Sequence, residues 1–252
     1  MDRLIHIALN TIKYAQEDST IRANNLANIS VPGYRRDIEP KNVDTSFVMP
    51  DQELRSRAFA MREGKNRFSN EDGQIEHTQR ETDIAIVGEG YFVIEPDNGE
   101  PALSRRGDFR VSQDGFLVDG TGAKVLNEQM QPVLLPPYRE LVFGDHGQIT
   151  IEPIDGEPGQ REEIGFVATA KVETGDLQKY SDGHIRRRDG GPLVPDLQAD
   201  IKQGYLEKSN VNTVEELVRT LHRQRHYELN IKLLSVAREI DESGSSVMRL
   251  PR

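Results

Sequence analysis

The chain has no cysteine and no tryptophan. The missing thiols exclude disulfides, thiolate metal sites and cysteine nucleophiles, and leave the redox compartment undecided. No apolar run approaches the roughly 18–20 residues of a membrane-spanning helix. Residues 4–9 are apolar but interrupted by His6, and Asp2 offsets Arg3 in the flank. That run falls short of a secretory h-region of about 7–15 residues, so no cleaved signal is expected, and a cytoplasmic chain or export by another route follows. An excess of positive charge is missing too. The net charge is −10, which argues against nucleic acid as a partner, because phosphates demand a basic face. What is present is 252 residues, 35% hydrophobic and 29% charged, enough for one large domain or two smaller ones with their own cores.

Residues 23–36 organise the rest. Asn24, Asn25 and Asn28 weaken a helix interior, because their amides compete for backbone partners. Pro32 forbids helix continuation and Gly33 permits a turn, so a helix is expected to stop near Asn28 and the chain to turn at Pro32-Gly33. Two readings of the amides stand side by side: spare groups at a helix C-terminus, or donors and acceptors for the backbone of a neighbouring chain.

Upstream, Ile5, Ala8, Ile12, Ala15, Ser19, Arg22 and Leu26 follow the 3-4 spacing of a coiled-coil seam. Most seam residues are small and recover about 1 kcal/mol or less each at about 25 cal/mol/Å². Ordering each residue's backbone costs about 1–2 kcal/mol, so such a helix needs neighbours. Residues 37–80 lose the period and read as an extended arm, with a short helix expected over 54–61. Over residues 81–200 the pattern becomes that of strands. Asn98-Gly99, Asp114-Gly115, Asp119-Gly120-Thr121-Gly122 and Asp145-His146-Gly147 separate short β-forming runs, which predicts an antiparallel β domain. Residues 181–196, with Arg186-Arg187-Arg188 and Gly190-Gly191, read as loop. Residues 201–252 return to helix, opened by Asn212 with Glu215 three positions later and ending near Gly244. Its apolar face carries Val214, Leu217, Val218, Leu221, Ile231 and Leu234, widened by Leu229, Leu233, Val236 and Ile240. The expected fold is α+β: a mainly antiparallel β domain inserted between N- and C-terminal helices that pair as a coiled-coil-like core. The domains are 1–36, the N-terminal helix and turn; 37–80, the arm; 81–200, the β domain; and 201–252, the C-terminal helix.

No catalytic set emerges. His222 and His226 have a metal-chelating i, i+4 spacing but lack further ligands, and a solvated or interface role is the plainer reading. Gly88-Glu89-Gly90 is followed by no helix pattern, which rules against a dinucleotide loop. The Asp114 and Asp119 loops lack the closing Glu and helical flanks of a calcium loop. No cofactor, metal or small-molecule substrate is expected. A β-domain hydrolase with helical oligomerisation ends is the alternative of a different class, and it would need convergent acid, base or nucleophile groups in a cleft.

Four stretches resemble the flagellar basal-body rod protein family, most closely its proximal-rod members. They are Ala23-Asn24-Asn25-Leu26-Ala27-Asn28 followed by Gly33-Tyr34-Arg35; residues 82–94; Ser104-Arg105-Arg106-Gly107-Asp108-Phe109 through Asp114-Gly115-Phe116-Leu117-Val118; and Gly204-Tyr205-Leu206-Glu207-Lys208-Ser209-Asn210-Val211-Asn212 running into Glu215-Glu216-Leu217-Val218. Val31 stands where the family usually has Thr, and Thr82 where it has Leu. The resemblance implies a non-enzymatic axial subunit of the rod, exported by the flagellar type III apparatus without a cleaved signal. It implies terminal helices packed in the core of a helical tube that crosses the periplasm, with the β domain projecting outward. A distal-rod paralogue is the alternative within the family. The implied partners are other rod subunits. The implied assembly residues are Ile5, Ala8, Ile12, Ala15, Ala23, Asn24, Asn25, Leu26, Asn28, Gly33, Tyr34, Ser209, Asn210, Val211, Asn212, Val214, Leu217, Val218, Leu221, Ile231 and Leu234. With the resemblance in view, the inter-subunit reading of the asparagines is the favoured one.

A helix seam this poor in apolar area makes dilute monomer susceptible at its ends. Limited proteolysis is expected to trim both terminal helices first and leave a resistant β core. Ends that resist cleavage as well as the core would contradict this.

Overall fold

A computed structural model describes residues 2–48, 57–63, 67–97 and 99–248, with side chains described for 10–40, 67–97, 99–236, 238–240 and 242–244. The chain divides into two units. One comprises residues 1–27, 37–67 and 212–252, and the other residues 28–36 and 68–211.

The helical unit holds α1 (Asp2–Ala27) and α2 (Thr213–Met248). α1 stops one residue before the asparagine expected to end it. α2 starts where expected: Asn212 Oδ1 accepts hydrogen bonds from the amides of Val214 (3.0 Å) and Glu215 (3.2 Å), satisfying two of the free donors of the first turn. Glu215 and Glu216 add negative charge at the positive end of the helix dipole. At 36 residues α2 is about 54 Å long. It runs through Gly244 instead of ending there, since an isolated helical glycine costs only about 1 kcal/mol and nothing around it terminates the helix. Two strands, Lys41–Val48 and Arg57–Glu63, form an antiparallel hairpin in this unit. The helix expected over 54–61 is therefore a strand from Arg57 on, and residues 54–56 lie outside the described residues. Pairing with the Val43, Thr45 and Phe47 strand overrides the weak local preference of Arg57, Ala58 and Ala60.

The β unit is built around Tyr91–Glu95, whose first four residues are all buried. Alternation sends Phe92 into one hydrophobic cluster and Tyr91 and Val93 into another, so this strand is covered on both faces. The first cluster also contains Ile84, Ile86, Phe109, Leu117, Leu141, Ile149 and Ile151, with the Phe92 and Phe109 rings meeting edge-on at 5.2 Å. Tyr91–Glu95 pairs antiparallel with Ala102–Ser104, with Lys124–Val125 and with Thr169–Ala170. Leu177–Lys179, Ile185–Arg187, Arg110–Val111 and Leu117–Val118 complete that eight-stranded sheet. Tyr138–Phe143, Gln148–Pro153 and Glu162–Phe166 make a three-stranded meander.

Two expectations change here. Within 181–196, Ile185–Arg187 is a strand paired with Leu177–Lys179 and with Leu103. Arg186 is buried there, its guanidinium 2.7 Å from Asp182 and 5.5 Å from the Tyr180 ring, which is how a cationic run enters a sheet. The start of 201–252 is also strand. Asp200–Gln203 pairs with Ile84–Val87 and Tyr205–Glu207 with Ile75–His77, so the chain returns to the β unit before α2 begins. The Asn98-Gly99 turn is described only at Gly99, whose amide donates to Pro96 O at 2.8 Å; Asn98 lies outside the described residues.

Truncating the side chain that fills the centre of the β unit, Phe92→Ala, is expected to cost about 3–5 kcal/mol in urea unfolding. Leu229→Ala on α2 is expected to change stability by less than about 0.5 kcal/mol, because its side chain is exposed. Equal effects would contradict the assignment of the core.

Candidate assembly surface and the residues that position it

In the β unit, residues 33–36 and 204–211 meet. Pro32 and Gly33 are the corner positions of a turn closed by Tyr34 N–H to Val31 O at 3.3 Å. Gly33 has φ +65° and lies so close to the Arg105 backbone that a Cβ would stand 2.2 Å from its carbonyl carbon, so no other residue fits. Its amide donates to Glu207 O at 2.7 Å, and Asn210 N–H donates to Tyr34 O at 3.2 Å. The Asn210 side chain ties three segments. Its Oδ1 accepts from Arg36 N at 2.7 Å, and its Nδ2 donates to Glu71 O at 2.8 Å and Ser69 O at 3.3 Å.

At the centre stands Glu207, with its side chain 2% exposed. Oε1 lies 3.1 Å from Arg35 Nη1 and Oε2 lies 2.8 Å from Arg105 Nε; both arginine side chains are equally buried. Asp72, at the surface, bridges the same two guanidiniums at 2.9 and 3.2 Å. Arg105 also donates to the carbonyls of Gly90 and Gly88 at 2.8 Å each, and Arg35 to Glu71 O. Gly73 N–H completes Glu207 at 2.8 Å, and here too a Cβ is excluded, by Lys208 O at 1.8 Å. Burial pushes the Arg105 guanidinium below its usual value while Glu207 pushes it back, and arginine stays charged under either influence. Burial likewise raises the Tyr91 hydroxyl, opposed by Arg35 and Arg105. Lys179 closes the cluster, with Nζ 3.1 Å from Arg35 O and 3.9 Å from the Tyr34 ring centroid.

The helical unit inverts the usual division of polar and apolar residues. Among the described residues, the buried side chains of α1 are Asp18, Arg22 and Asn25, and that of α2 is Glu216; all are polar. Asn25 pairs with the Asp37 backbone in both directions: Nδ2 donates to Asp37 O at 3.0 Å, and Oδ1 accepts from Asp37 N at 2.8 Å. Nδ2 also lies 3.4 Å from Glu216 Oε1. The amide thus works within its own chain. Arg22 pairs with Glu39 and stands 3.9 Å from Glu216; Arg223 lies 3.0 Å from Asp18 and 2.7 Å from Glu39.

The apolar residues of α2 face water. Val214, Leu217, Val218, Leu221, Leu229, Ile231, Leu233, Val236 and Ile240 are each at least 43% exposed, far beyond scattered surface apolar residues. Of the other expected assembly residues, Ala23, Asn24 and Asn212 are exposed. Ile12, Ala15, Leu26, Asn28, Tyr34, Ser209, Asn210 and Leu234 are half-buried, and Gly33 and Val211 are buried. Ile5 and Ala8 lie on α1, with side chains outside the described residues. Glu207, Arg35, Arg105 and Glu39 were not singled out from the sequence; the available signal was a charge inside an otherwise β-forming or apolar pattern.

A closed β unit beside long helices that turn their apolar residues outward is the build of an assembly subunit. Comparison with known proteins gives the same class. Residues 202–247 match the family described as flagellar basal body rod FlgEFG protein C-terminal, and residues 85–157 match the flagellar hook protein FlgE/F/G D1 domain. Over 264 residues the chain is 30% identical to the flagellar basal-body rod protein FlgF of Caulobacter vibrioides, covering 99% of this chain and 98% of that one. It is 25% identical over 256 residues to FlgF of Salmonella typhimurium, covering 99% and 98%, and 28% identical over 270 residues to the rod protein FlgG of Agrobacterium fabrum, covering 98% of each. The chain belongs to the flagellar basal-body rod protein family, and its likeness is to FlgF. The family is structural, not enzymatic, and assembles with other rod and hook components in the flagellar basal body. Among the described residues no helix is long and apolar enough to cross a membrane.

Removing the shared carboxylate by Glu207→Ala leaves two buried guanidiniums facing each other. It is expected to cost about 3–5 kcal/mol in urea unfolding, with Glu207→Gln intermediate. A loss below about 1 kcal/mol for Glu207→Ala would contradict the central role given to this residue.

Proposed function

We propose that this protein is a proximal-rod subunit, which passes torque from motor to hook by packing against neighbouring subunits. The observation that carries the reading is the outward apolar face of α2, from Val214 to Ile240. At about 25 cal/mol/Å², covering these side chains with neighbouring helices supplies the burial that the chain alone does not obtain. In the assembled tube α1 and α2 pair in a coiled-coil-like core, with Ile5, Ala8, Ile12 and Ala15 contributing the small side chains that allow close approach. Heterologous contacts of this kind extend a helical tube. The β unit, whose hydrophobic clusters are closed within the chain, projects from that core and needs no neighbour for its folding. The rod lies across the periplasm, and the subunit reaches it through the flagellar type III apparatus without a cleaved signal. Likeness to FlgF over the full length supports the proximal position.

Leu221→Asp tests the reading. A carboxylate there is harmless to a monomer whose Leu221 is 53% exposed, and costly in an interface that excludes water. The expected outcome is an unchanged urea midpoint for the β unit together with loss of swimming and of completed rods. Normal swimming would overturn the proposal.

A further inference from the structure

We propose that Asp18, Arg22, Asn25, Glu39, Glu216 and Arg223 form an orientation clasp, which fixes the rotation of α1 and α2 about their axes so that the apolar face of α2 stays outward. The inference deepens the rod reading and rests on it for its purpose, but the clasp is a property of the single chain.

Asp18, Arg22 and Asn25 recur at i, i+4 and i+7 and therefore share one face of α1. On α2, Glu216 and Arg223 are one residue in seven apart and share a face as well. The hydrogen bonds and ion pairs described between the helices join these faces: Arg223 to Asp18 at 3.0 Å, Asn25 to Glu216 at 3.4 Å, and Arg22 to Glu216 at 3.9 Å. Glu39, from the segment after α1, bridges the arginines of both helices. Asn25 holds that segment in place through its two hydrogen bonds to Asp37. Each carboxylate thus has a cation from a different segment of the chain, and only one rotation of each helix satisfies them together.

Apolar burial alone would choose otherwise. Two helices carrying apolar stripes gain most by turning those stripes toward each other and leaving the charges in water. A chain that did so would close its own adhesive surface before meeting a neighbour. Buried polar groups oppose this arrangement through specificity more than through stability, as a polar residue at a coiled-coil seam fixes register at some cost in stability. Rotating either helix would leave charged groups buried without partners, the costly outcome.

The absence of cysteine makes the test clean. A single reporter, Leu221→Cys, is placed on the outward face, and its thiol alkylation rate is measured in the full-length monomer. With the clasp intact, labelling is expected at the rate of an exposed thiol. In Arg22→Leu/Glu216→Leu the charges are replaced by apolar side chains, and the reporter is expected to be protected about tenfold or more as apolar faces close on each other. An unchanged rate in a variant that keeps its helical circular dichroism would overturn the proposal. Should that variant lose its helices, Asn25→Leu carries the same readout while keeping every charge, and unchanged labelling there would overturn it equally. Failure of the rod reading looks different: Leu221→Asp cells would swim while the clasp variants still changed reporter protection.

Discussion

Glu207 sits between the guanidiniums of Arg35 and Arg105, and the organisation of the chain depends on that contact. It gathers three stretches far apart in sequence: the turn after α1, the loop following the Ala102–Ser104 strand, and the strand that precedes α2. Two glycines make the approach possible, Gly33 against the Arg105 backbone and Gly73 against Lys208. A buried charge without a partner is costly, so each of the three groups enforces the position of the other two. The residues that resemble a family signature at both ends of the chain are, in the β unit, parts of one internal junction.

The helical unit obeys a different rule. Its buried side chains are charged or amide-bearing, while leucines, valines and isoleucines of α2 stand in water. For an isolated monomer this is a poor use of apolar area. For a subunit of a polymer it is required, since the free energy of assembly has to come from surface left uncovered beforehand. The β unit keeps its hydrophobic clusters for itself, and the helices keep theirs for neighbours. This contrast is what turns membership of a structural family into a mechanism of assembly.

Much of the fold was legible in the residues. The stop of α1, the Pro32-Gly33 turn, the Asn212 cap and the hairpin turns at Asp114-Gly115 and Asp145-His146-Gly147 all rest on local chemistry, and local chemistry is what a sequence displays. The misses share one cause. Arg57–Glu63 became a strand through its partner strand, Ile185–Arg187 entered a sheet because Asp182 and the Tyr180 ring accommodate Arg186, and Tyr205–Glu207 paired with a strand about 130 residues earlier. Similarly, Asn25 was legible as a break in helical pattern, but its pairing with the Asp37 backbone was not. Arg22 looked like a weak seam position because Glu39 and Glu216, which make it a buried one, are supplied by other segments.

The central claim is that the outward face of α2 is the assembly surface. Fitting the chain into electron cryomicroscopy density of an intact rod tests it most directly. Leu217, Leu221, Leu229, Leu233, Val236 and Ile240 are expected to be covered by helices of neighbouring subunits, with Arg22 and Glu216 still facing each other inside one chain. Density in which that face remains open to solvent, or in which subunits meet only through their β units, would contradict the account.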